Sequence, residues 1–141
     1  AALAIKNLDD RQFKKAVLVL TTGMNIFLFI SYVWPTGLDL RDSIVYDLHT
    51  LSGNLLKFVQ TVDTPKSVFP SMHVYVTLVL QYTLEMQKKL VPAWGIWVGR
   101  VLAVLIVLST MFTKQHSAVD VTAAIVMFAV LAIVTEKIVK K

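Results

Sequence analysis

A chain of 141 residues that is 56% apolar and only 16% charged, with a mean hydropathy of +0.67, carries more apolar surface than a soluble domain of its size can bury. With no cysteine, disulfides and thiolate chemistry are excluded. The net charge of +5 is not gathered into a patch that would bind nucleic acid, because the basic residues flank apolar runs, where they act as topology determinants.

These proportions predict an all-α, integral membrane helical bundle forming one domain over residues 1–141. Four segments are predicted to span, each near the roughly 17–25 residues a crossing helix needs. The first runs from about Ala16 to Trp34 and carries no charge. A polar stretch, Pro35 to Ser67, follows it, in which Ile44, Leu48, Leu51, Leu55, Phe58 and Val62 recur at three- and four-residue spacing. That period predicts an amphipathic helix lying at the interface, weakened in its middle by Gly53. His49 sits alone within it and is read as a surface residue. The second span, about Val68 to Met86, is the most diluted, by Pro70, Ser71, His73 and Gln81. The third, about Leu90 to Phe112, contains Arg100, and the fourth, about Ala118 to Val134, contains Asp120.

Charge fixes the orientation. With both termini and the Lys88-Lys89 turn in the cytoplasm, that side holds Lys6, Arg11, Lys14, Lys15, Lys88, Lys89, Lys137, Lys140 and Lys141. The opposite side holds Arg41, Lys57, Lys66 and Lys114, so the excess falls where the positive-inside rule requires it. Four spans then bring His73, His116 and Asp120 to one outer level, with Arg41 leaving the first span on the same side.

Those residues have a chemistry. His116 and Asp120 are four apart, so on a helix they share a face, and the carboxylate can orient one ring nitrogen and leave the other as a nucleophile. Alternatively, Asp120 pairs with Lys114 or caps the last helix near Ser117; spacing alone weighs the two readings evenly. Two histidines and an aspartate also suit zinc or non-haem iron. The neighbouring Arg41, Ser71, Ser109, Thr110, Thr113 and Lys114, however, are donors for an oxyanion, which ranks a metal centre below phosphate chemistry.

Pro70-Ser71-Met72-His73, and Ser109 through His116 to Asp120, resemble the second and third signatures of the type 2 phosphatidic acid phosphatase superfamily. Those signatures read Pro-Ser-x-His and Ser-Arg, five residues, His, three residues, Asp. The chain resembles the last four helices of six-span members, an acid phosphatase/vanadium haloperoxidase-like core, which implies that two preceding helices lie outside this sequence. The third-signature arginine falls at Thr110, and Arg41 alone remains of the first signature. A similar reduction marks the branch likened to inositol phosphorylceramide synthase.

The resemblance implies a metal-independent lipid phosphatase needing no cofactor, in which His116 forms a phosphohistidine, Asp120 orients it and His73 protonates the leaving oxygen. Arg41, Ser71, Ser109 and Lys114 would hold the phosphate, Lys114 standing in for the arginine as a point charge. The site would face outward from a plasma or inner membrane, its partners being the bilayer and a lipid phosphate. Head-group transfer between lipids and a catalytically inactive membrane scaffold are the alternatives. Nothing in the sequence sets an oligomeric state or the identity of the lipid.

Overall fold

The computed structural model describes residues 9–34, 49–62, 69–113 and 116–139. Among them the chain is all-helical: α1 (Asp10–Val33), α2 (Leu51–Val62), α3 (Met72–Met86), α4 (Ala93–Phe112) and α5 (Ala118–Ile138). The expected positions Arg41, Ile44, Leu48, Lys66 and Lys114 lie outside the described residues.

Among the described residues three helices, α1, α4 and α5, are long and apolar enough to cross a membrane. At 24, 20 and 21 residues they run roughly 30–36 Å, the thickness of a bilayer core. The second expected span is instead the 15-residue α3, about 22 Å long and short of that thickness. Its start is fixed by Ser71, which caps the helix by accepting from Val74 N at 3.4 Å. The chain leaves it through a turn in which Gln87 N bonds Leu84 O at 3.0 Å. Of the expected interfacial segment, α2 is helical, capped at its start by Thr50 Oγ1, which accepts from Gly53 N at 3.1 Å. Its apolar Leu51, Leu55 and Phe58 are exposed by 78, 54 and 66%, so that face is not used within the bundle.

The four longer helices run up and down. α3 is the hub, packing against α1, α4 and α5, while α1 also packs on α5. At one end the beginnings of α3 and α5 meet, with Ser71 N donating to Asp120 O at 3.2 Å. At the other, Lys15 on α1 reaches Glu136 on α5, and Gln12 Nε2 donates to the carbonyl of Met86 on α3.

Between the ends lies a core of Val19, Val74, Tyr75, Val79, Val121 and Ala124. Phe128 meets the edges of Tyr75 and Tyr82, at centroid distances of 6.4 and 5.9 Å. Gly23 lets α1 close on α3, since a Cβ there would overlap the ring of the buried Tyr75. Tyr75 Oη donates to Val19 O at 2.5 Å in the same interface. Outside this core most large apolar side chains of α1, α4 and α5 are exposed, as lipid-facing surfaces require. On α4 the buried positions are Ile96, Ala103 and Thr110, one stripe at seven-residue spacing turned toward α3.

Candidate active site

Forty-three positions apart in sequence, His73 and His116 meet at the end where α3 and α5 begin. His73 Nδ1 lies 3.4 Å from His116 Nε2, with ring centroids 5.7 Å apart and planes tilted by 58°. His73 stands in the first turn of α3 and is exposed. His116 is buried, and its Nδ1 has no contact with solvent. The ring nitrogen of His116 that faces the other imidazole is Nε2.

Local hydrogen bonding explains how His116 is held. His116 N donates to Thr110 O at 3.2 Å, which holds His116 against the end of α4. Ser117 then caps α5, with Asp120 completing a capping box. Oδ2 of Asp120 accepts from Ser117 N at 2.7 Å and Ser117 Oγ at 2.8 Å, and Asp120 N donates to Ser117 Oγ at 3.3 Å.

This changes the expected relation between His116 and Asp120. α5 begins at Ala118, so His116 precedes the helix and the two residues do not share a helical face. Asp120, itself buried, grips the residue next to His116 and fixes the turn that presents the ring.

Two expected phosphate ligands also find themselves in other surroundings. Ser71 is fully buried with its hydroxyl engaged as the α3 cap. Ser109 is exposed on the outer side of α4 and donates to Ile106 O at 2.8 Å. Its neighbour Thr110 is the inward residue, buried, with its hydroxyl on Val107 O and its carbonyl on His116 N. The sequence marks Thr110 both as a donor for an oxyanion and as the place of the absent signature arginine; its hydroxyl is instead spent within α4. Arg41 and Lys114 are outside the described residues. Among the described residues no three His, Cys, Asp or Glu side chains are grouped so as to hold a metal ion.

What converges here is a pair of imidazoles flanked by two helix N-termini. The first-turn N–H groups of α3 and α5 carry the positive ends of both macrodipoles; at α5 the Asp120 carboxylate of the capping box already compensates that end, and at α3 the Ser71 hydroxyl caps it without a charge. What the arrangement holds is one buried imidazole, His116, facing one exposed imidazole, His73. Compared with protein-family models, curated proteins and solved structures, the chain has no significant match.

Proposed function

We propose that the chain is a metal-independent lipid phosphatase working through a phosphohistidine, in the manner of the type 2 phosphatidic acid phosphatases that its two motifs resemble. The observation that carries this reading is the approach of His73 Nδ1 to His116 Nε2 at 3.4 Å, at the shared origin of two helices.

In this reading Nδ1 of His73 carries the proton and Nε2 of His116 the lone pair. Phosphate enters between the rings, and His73, the exposed one, turns aside to admit it. Nε2 of His116 attacks phosphorus in line; the N–P bond forms as the bond to the lipid alkoxide breaks, and that oxygen takes the proton of His73. Water then gives a proton to His73 and attacks phosphorus, releasing inorganic phosphate and restoring His116. Arg41 and Lys114 stabilise the equatorial oxygens. Asp120 acts as a positioning residue through Ser117.

The same reading treats α3 as a fourth, shorter membrane helix in the middle of the bundle. It places the histidines on the extracytoplasmic side, because the lysine-rich ends of α1 and α5 and the Lys88-Lys89 turn share the opposite one. Phosphate release from a panel of lipid phosphates in EDTA tests the proposal. His116→Ala is expected to lose at least about a thousandfold in rate, and the wild type to yield an acid-labile phosphoenzyme. Undiminished release by His116→Ala overturns the mechanism. Turnover that requires a second lipid alcohol assigns the same intermediate to head-group transfer, and failure to form any phosphoenzyme leaves the scaffold reading.

A further inference from the structure

At the end of the bundle away from the histidines, a polar cluster faces outward from α4. Arg100 stands about 10 Å along that helix from its first residue, Ala93. Its side chain is 42% exposed, and Trp97, Val101 and Val104 on the same surface are exposed too. Hydrocarbon does not solvate a guanidinium, so its donors must reach acceptors at the edge of the lipid tails.

The contacts of Arg100 show where those donors are aimed. A helical side chain leans toward the N-terminus of its own helix. Arg100 does so, its guanidinium carbon lying 4.8 Å from the centre of the Trp97 ring, one turn nearer Ala93. Nε donates to Glu85 Oε1 on α3 at 2.7 Å. These two contacts fix the guanidinium plane and use one of its nitrogens. Among the described residues no protein acceptor is hydrogen-bonded to the two terminal nitrogens, the fork that matches a phosphate.

Charge accumulates at the same place. Glu85 Oε2 also holds Lys88 Nζ at 3.0 Å, so one carboxylate serves two cations, and Lys89 follows in the turn. Glu85 offsets one positive charge, and the surplus lies beside the open fork. Arg100 forms the polar end of a shallow depression otherwise lined by Trp97, Val101, Val104 and Leu105. Approach over that lipid-facing surface selects an anion already carried in the bilayer.

We propose that Arg100 and Lys88, drawn together by Glu85, bind the phosphate of an anionic phospholipid in the leaflet on the side of the Lys88-Lys89 turn. Arg100 supplies the fork and Lys88 a point charge. The lipid is held and not turned over, so the inference stands whether or not the histidines act on a lipid phosphate.

The test places the full chain in phosphatidylcholine vesicles, with Trp34→Phe and Trp94→Phe leaving Trp97 as the sole tryptophan. A minor fraction of the lipid is brominated on its acyl chains and carries either a phosphatidylglycerol or a phosphatidylcholine head group. Quenching of Trp97 is expected to report about fivefold enrichment of the anionic lipid, undiminished by inorganic phosphate at constant ionic strength. Lys88→Gln is expected to lower the enrichment and Arg100→Gln to remove most of it. The double variant Glu85→Gln/Arg100→Gln leaves no unpaired carboxylate to disturb folding and keeps the net charge of this end. It loses only the fork, and the same loss of enrichment is expected. Equal quenching by the two head groups in the parent overturns the proposal. So does displacement by inorganic phosphate, because the occupant is then a soluble anion. Enrichment that survives in the double variant overturns it as well, since the lysines then attract the lipid without the fork. Weak quenching by both lipids means that a second copy covers α4, and equally overturns it.

Discussion

The two ends of the bundle solve the problem of polar groups in different ways. At the end carrying Lys15 and Glu136, charges tie helices to one another. Lys15 meets Glu136 at 2.5 Å, and Tyr82 donates to the same carboxylate at 2.8 Å, so one glutamate joins α1, α3 and α5. Beside it Glu85 on α3 accepts from Arg100 on α4 at 2.7 Å and pairs with Lys88 at 3.0 Å. At the histidine end the polar contacts are mostly short in sequence: Ser71 caps α3, Ser117 and Asp120 cap α5, and backbone holds the link. There, among the described residues, His73 of α3 meets His116 from the residue before the α5 cap. Charge neutralised pairwise makes a clamp. At the histidine end each helix start is closed by its own cap, and the proposed chemistry needs only the two imidazoles that are left facing each other.

If the clamp is structural, breaking it lowers stability and spares the histidine pair. Glu136→Gln deprives Lys15, whose side chain is 13% exposed, of its counter-ion. The expected cost is about 1–3 kcal/mol, reduced from a fully buried pair because Glu136 is 37% exposed. Thermal unfolding in detergent measures it, and the double variant Lys15→Met/Glu136→Leu should recover most of the loss, since no charge is then left without a partner. Equal loss in the double variant means that packing, and not the ion pair, holds this end.

A smaller effect is expected at the opposite end. Asp120→Ala removes the acceptor of Ser117 N and costs about 1 kcal/mol of helix-cap stability, with a fall in turnover because the turn presenting His116 loosens. Asp120→Asn retains a carbonyl oxygen for Ser117 N and is expected to restore most of the turnover. Equal inactivation by Asn and Ala means instead that the negative charge acts on His116 or substrate.

Much of this architecture can be read from the chain, and the misreadings have physical causes. The long apolar runs of α1, α4 and α5 announce themselves by composition. α3 does not, because its apolar run extends upstream through Val68 and Phe69, whereas the helix waits for the Ser71 cap. His116 and Asp120 have the spacing of a shared helical face, but Ser117-x-x-Asp120 also has the spacing of a capping box, and the cap prevails by starting α5 after His116. Ser109 and Thr110 are indistinguishable in a helix that is apolar all round; only contact with α3 decides that Thr110 faces inward. The link from Lys15 to Glu136 crosses 121 positions and from Tyr82 to Glu136 crosses 54, and no local periodicity encodes either.

Two tyrosines on α3 allow the two ends to be compared with one chemical change. Tyr75 and Tyr82 both present their rings to Phe128, so replacing either by Phe keeps the packing and removes only a hydroxyl. Tyr75 Oη, within the core, donates to the neutral carbonyl of Val19, which within α1 also serves its own helix. Its loss therefore orphans no acceptor, and Tyr75→Phe should cost at most about 1 kcal/mol. Tyr82 Oη donates to the Glu136 carboxylate, where a charge-assisted bond is worth about 1.5–3 kcal/mol. Tyr82→Phe should therefore unfold at a lower temperature than Tyr75→Phe, and the gap between them should close when Glu136 is already Gln. A gap that persists in the Glu136→Gln background places the difference in packing around the rings and removes the carboxylate from the account of what clamps that end.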